Sequence, residues 1–241
     1  ELYSLLAEQA MVDGQWSLAA TLADAARQLV PDEPESIALA AAAHLNAGYA
    51  QAQAGGWQQA LAHWEQARDL GENSRELLQN LALAYEKAER FAEAADLWRQ
   101  VVRRRPRKGG IHGLTPQQVA LLWGHVAECY RRAGDVEEAI ATLRNAIKND
   151  PDNTALRLKL VDALVADDRW DAAGNETNRI LKKEPENVEA LVRSARIAEG
   201  GWFPGRARAI WKKVLDHAPD HPEARERLSE QHEREGDYLV R

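Results

Sequence analysis

The stretch VEEAIATLRNAIKNDPDN, residues 136–153, decides how the rest of the chain is read. Val136, Ile140, Leu143 and Ile147 recur at three- and four-residue steps, the period of one helix face. The run stops at Asn149-Asp150-Pro151-Asp152-Asn153. Proline has no amide proton and clashes inside a helix, so it marks a boundary. Thirty-four residues later the chain reads Lys183-Glu184-Pro185-Glu186-Asn187, and after 34 more His217-Ala218-Pro219-Asp220-His221. Two equal spacings point to a repeated unit.

The register extends through the chain from an alanine twelve residues before each proline: Ala139, Ala173 and Ala207. Backwards it gives Ala94 with Pro106 and Ala19 with Pro31, and a sixth copy at Ala60 with Glu72 in the proline slot. Four residues after the anchor stand Ala23, Trp64, Trp98, Leu143, Thr177 and Trp211; seven after it, Ala26, Ala67, Val101, Ala146, Ile180 and Val214. Twelve before it stand the mostly small Ala7, Gly48, Ala82, Ala127, Val161 and Ala195. Nine before it come Ala10, Gln51, Tyr85, Tyr130, Leu164 and Ala198. A small residue, an aromatic three later, an alanine, a bulky residue four later and then proline: this resembles the tetratricopeptide repeat, in six copies plus a trailing partial one. The second copy lacks the proline, the fifth has Thr177 in a bulky slot, and the first and sixth lack the tyrosine.

The resemblance implies an all-α, right-handed solenoid of antiparallel helix pairs. Small residues let paired helices approach, bulky ones fill the space between units, and no unit buries its apolar face alone. The expected array covers residues 1–241, with units near 1–33, 34–73, 74–107, 115–152, 153–186 and 187–220 and a partial unit at 221–241. Ala19 and Ala60 lie 41 residues apart, which predicts a long first helix starting at Pro34. Ala94 and Ala139 lie 45 apart, and the excess falls on a loop at 106–115 carrying Gly109, Gly110 and Gly113. Thr115-Pro116 then reads as an N-cap with proline in the first turn. At the far end Ala224 and Leu228 mark one more first helix, with a turn expected at Gly236-Asp237 and a second helix from Tyr238. The array therefore reads as cut from a longer one.

Composition narrows the function. Apolar residues make up 45% and charged residues 29%, enough for a packed core. The net charge of −7 makes a poor general nucleic-acid binder. The single cysteine, Cys129, leaves no internal disulfide or cysteine-based zinc cage, and reads as a small core residue. No apolar run approaches the roughly 18 residues of a membrane span. A cytoplasmic setting fits, and a periplasmic one fits as well. Arg outnumbers Lys 23 to 8, which points to a GC-rich bacterial source.

Motifs for catalysis and cofactors do not stand out. There is no HExxH spacing, no nucleophile elbow and no glycine-rich phosphate loop, so neither a catalytic residue, a metal ligand nor a cofactor is assigned. Pro219 separates His217 from His221 and breaks their i,i+4 relation. Most tryptophans fall into register slots and read as packing. Trp202, in Gly200-Gly201-Trp202-Phe203-Pro204-Gly205, does not; it either caps its unit or presents an exposed contact. Arg103, Arg104, Arg105, Arg107 and Lys108 put five cations in six residues. They read as helix termination beside a loop, with a nucleic-acid or acidic-partner contact as the alternative.

The resemblance implies a non-enzymatic protein-interaction scaffold that binds a peptide or partner helix in a concave groove lined by first helices. Oligomerisation is also open. The groove slots lie fifteen, eleven, eight and seven residues before the anchor. They give Leu45, Tyr49 and Gln53; Gln79, Leu83 and Glu86; Glu128, Arg131 and Arg132; Asp162; and Arg196, with Gly124, Leu158 and Val192 also in the outermost slot. The basic and asparagine clamp with which some relatives hold a terminal carboxylate is not reproduced, apart from Asn80 in one slot.

Overall fold

The computed structural model describes residues 1–103 and 115–239. Among them are thirteen helices and no strand. They run α1 Leu2–Val12, α2 Trp16–Leu29, α3 Pro34–Gln53, α4 Trp57–Asp69, α5 Arg75–Lys87, α6 Phe91–Arg103, α7 Pro116–Ala133, α8 Val136–Asn149, α9 Thr154–Ala166, α10 Trp170–Lys183, α11 Val188–Gly200, α12 Pro204–His217 and α13 Pro222–Leu239. The chain is an all-α helical-repeat solenoid, and its contacts divide it into two compact bodies, Glu1–Gly113 and Leu114–Arg241.

Local chemistry sets the helix limits. Pro34 opens the long α3 and Pro116 opens α7. The Thr115 hydroxyl accepts from the Gln118 amide while the Gln118 side chain accepts from the Thr115 amide, closing a capping box. Asn153 and Asn187, each two residues after a proline, cap α9 and α11 by accepting from Leu156 and Ala190. Ser74 does the same for α5.

Each pair reverses at one backbone position, five residues before its anchor. Gly14, Gly55, Glu89, Gly134, Asp168 and Trp202 all have left-handed φ, between 54° and 88°. This accounts for Trp202. It holds the turn slot, its side chain is 89% exposed, and it does not cap its unit as one reading had it.

In the N-terminal body, α1–α2, α3–α4 and α5–α6 pair and stack in order. The first repeat's core is almost wholly alanine: Ala7, Ala10, Ala19, Ala20, Ala23, Ala40, Ala43 and Ala47. At the second, Gly48 leaves room for the Trp64 indole; a Cβ there would stand 2.4 Å from Trp64 Nε1. The third is richer, with Leu77, Leu78, Leu81, Tyr85, Leu97, Trp98 and Val101 buried.

In the C-terminal body, α7–α8, α9–α10 and α11–α12 pair in the same way and α13 packs on α12. All six anchor alanines are buried, as is Cys129. Thr177, in its bulky slot, is buried and returns its hydroxyl to the Ala173 carbonyl at 2.8 Å. Ala224 and Leu228 dock α13. The turn expected at Gly236-Asp237 is not formed, because α13 continues to Leu239. Glycine costs a helix interior only about 1 kcal/mol, so Gly236 does not by itself break the helix.

Candidate functional site: the first-helix face

First helices lie side by side within each body, α1 against α3, and α7 against α9 against α11. Repetition carries a given slot to the same face of each first helix. Four behaviours emerge among the slots expected to form the groove.

The outermost slot, fifteen before the anchor, is spent on packing in the C-terminal body. Gly124 is buried, and Leu158 and Val192 are each 7% exposed; these three, expected on the groove, are instead packed between neighbouring helices. In the N-terminal body Leu45 and Gln79 in this slot are half-buried. The Leu45 carbonyl accepts from Trp64 Nε1 at 3.3 Å.

In the third and sixth repeats the slot eight before the anchor is tied to the second helix, whereas Arg131, in the same slot of the fourth, pairs with Glu128 on its own helix. Trp98 Nε1 donates to Glu86 at 2.6 Å, and Trp211 Nε1 donates to Glu199 at 2.8 Å. A carboxylate on one helix thus satisfies the buried indole N–H of its partner, twelve residues on in both repeats.

The slot eleven before the anchor reaches the surface. Tyr49 is half-buried, its ring edge-on to Trp64 at 5.8 Å, and Leu83 is 41% exposed. Glu128 forms a two-point ion pair with Arg131 one turn on, at 2.9 and 2.6 Å, and that guanidinium holds the Glu128 carboxyl below the usual range. Asp162 accepts two bonds from Arg193, at 2.7 and 2.8 Å, and Arg196 makes two to Glu223 on α13. The Glu223 bonds hold the Arg196 guanidinium above its ordinary value and the Glu223 carboxyl below its own.

The innermost slot, seven before the anchor, places Gln53 and Arg132 at the surface.

A slot that sequence reasoning passed over completes the face. Fourteen residues before the anchor position stand Lys159, Arg193 and Arg227, 34 residues apart. Each reaches back to the preceding first helix: Lys159 Nζ donates to the Gly124 carbonyl at 3.3 Å, Arg193 pairs with Asp162, and Arg227 Nε lies 3.9 Å from Glu199. Three cations at one repeat spacing were legible as a pattern, but their acceptors lie 28 to 35 residues away in sequence. The face of the C-terminal body is therefore a cross-braced mosaic of both signs.

Of the basic run, Arg103 closes α6 and is exposed. Arg104, Arg105, Arg107 and Lys108, with the loop at 106–114, lie outside the described residues. No helix among the described residues is long and apolar enough to cross a membrane.

Family profiles described as Tetratricopeptide repeat match residues 45–108, 80–154 and 130–197. No curated protein matches the chain in sequence. Among solved structures, YrrB, described as a TPR protein with an unusual peptide-binding site, superposes with a TM-score of 0.54 at 16% identity, over 84% of this chain and 95% of its own. MamA superposes with a TM-score of 0.54 at 16% identity, over 73% of this chain and 91% of its own. A chain of the Naa15/Naa10 complex bound to HypK-THB gives a TM-score of 0.64 at 13% identity, over 94% of this chain and 38% of its own. At these identities the likeness is one of fold. The nucleic-acid reading of the basic run gains no support from them.

Proposed function

Because this chain belongs to the tetratricopeptide-repeat family, we propose that it is a non-enzymatic protein-interaction scaffold taking an extended peptide or partner helix on its first-helix faces. One observation carries the reading. The slot eleven before the anchor surfaces on every first helix from α3 to α11 and presents, in order, Tyr49, Leu83, Glu128, Asp162 and Arg196. Apolar contacts are offered by the N-terminal body and charged ones by the C-terminal body. Ion pairs with Arg131, Arg193 and Glu223 hold Glu128, Asp162 and Arg196 in place before a ligand arrives, which lowers the ordering cost of binding. YrrB, similar in fold, is described as having a peptide-binding site, which favours a peptide ligand here.

The test is a peptide-library selection with the full chain and two double variants, Tyr49→Ala with Leu83→Glu and Asp162→Lys with Arg196→Glu. Selected peptides should lose at least tenfold in affinity to one or both variants, with helical circular dichroism unchanged. Equal affinity for all three proteins overturns the reading.

A further inference from the structure

Three titratable side chains, none of them a groove-slot residue, meet where α2, α3 and α4 pack. His44 on α3 is 5% exposed, and its Nδ1 lies 3.0 Å from Nδ1 of His63 on α4. Its Nε2 lies 3.1 Å from Asp24 Oδ2 on α2. An ionised carboxylate only accepts, so His44 carries a proton on Nε2 and donates it to Asp24. Neutral His44 then offers a bare Nδ1, and His63 donates its Nδ1–H to it. One added proton can be accommodated. His44 becomes imidazolium, keeps its bond to Asp24, and donates from Nδ1 to a His63 whose own proton has moved to Nε2. A second added proton cannot. It sets two N–H groups head to head at 3.0 Å with no acceptor between them, and places two cations in contact.

We propose that His44 and His63, with Asp24 of the first repeat holding His44, form an acid-released latch between α3 and α4 of the second repeat, closed with no added proton or one and opened by the second. The facing charges are few. On α2 they are Asp24 and Arg27, whose Nε is 3.8 Å from the other oxygen of that carboxylate; on α3 and α4 they are the two imidazoles. The charges acting on His63 are those of His44 and Asp24. Burial pushes the His63 imidazole below its ordinary value, His44 lowers it further, and Asp24 opposes both. A folded-state value below the unfolded one, about 6.5, leaves stability intact above that pH and removes it as pH falls below. The latch borders the face described above, since Leu45 follows His44, Trp64 follows His63, and the indole of Trp64 is bonded to the Leu45 carbonyl. Its release frees α3 from α4 beside Leu45 and Tyr49.

Amide exchange in the full chain tests this without any ligand, and so independently of the proposed function. Protection of α3 and α4, corrected for the intrinsic rate at each pH, is compared between pH 7.5 and 5.5 in the wild type and in His63→Gln. In the wild type it should fall by up to tenfold per pH unit below about 6.5, the limit for one proton. In His63→Gln it should stay level. The other histidines are common to both proteins, so the difference isolates the pair. A wild type with constant protection, or equal losses in both proteins, overturns the latch. Imidazole nitrogen shifts of the wild type give a readout that needs no variant. At pH 7.5 the proton should sit on Nε2 of His44 and on Nδ1 of His63; the opposite tautomer on either ring overturns the proposal.

Discussion

Six residues at one register slot do the same backbone work with unequal success. Gly14, Gly55 and Gly134 adopt left-handed φ without a side-chain clash, whereas Glu89, Asp168 and Trp202 hold it at a cost of about 1–2 kcal/mol each. Trp202 packs little, being 89% exposed, so its replacement sacrifices few contacts. We expect Trp202→Gly to stabilise the C-terminal body by about 0.5–1 kcal/mol, the strain relieved less the entropy glycine loses on folding. A higher denaturation midpoint with an unchanged slope checks this. Gly48 predicts the opposite sign. A methyl group there would meet the Trp64 indole at 2.4 Å, and the indole is fixed by its bond to Leu45. Gly48→Ala should cost about 1–3 kcal/mol by overpacking, seen as a lower melting temperature.

Single elements depend on ends as well as faces. Asn153 and Asn187 each satisfy one otherwise orphaned amide, at 3.0 and 2.9 Å. Asn153→Ala and Asn187→Ala should each lower stability by about 1 kcal/mol, and the double variant by nearly the sum, because the sites lie one repeat apart and bond different amides. Thermal unfolding of the four proteins gives the cycle. Between helices, the anchor alanines set the distance of approach. Ala94 is buried without exposure, so Ala94→Trp should cost at least a few kcal/mol and melt α5 from α6; unaltered unfolding would count against the register.

Across the molecule, stability should follow the size of the buried side chains. The first repeat closes on alanines, while the third buries four leucines, Tyr85, Trp98 and Val101. Alanine burial removes far less apolar surface from water, at about 25 cal/mol per Å². Repeat arrays gain stability from each unit and its neighbours, so they open locally rather than all at once. Hydrogen exchange should therefore find α1 and α2 exchanging at least tenfold faster than α5 and α6. Equal protection would mean that alanine's close approach compensates through dispersion contacts.

The sequence by itself determined the helix pairs and their register, because a helix boundary and a buried face are local matters of proline, capping chemistry and a three- to four-residue period. Ala139, Thr115 and Pro34 could be placed from their neighbours in the chain. It also indicated which slots carry charge. What those charges do was decided by tertiary structure. Glu86 is bound to an indole, Asp162 is braced by Arg193 from the next repeat, and Val192 is buried where a free surface was expected, since each outcome depends on another helix. Trp202 shows the same division: the side-chain pattern left it outside the register slots, and its left-handed turn backbone and its exposure emerge only from the folded helix pair. The contact of His44, His63 and Asp24 is the furthest from local reading, because three helices must pack before two imidazoles can share a proton.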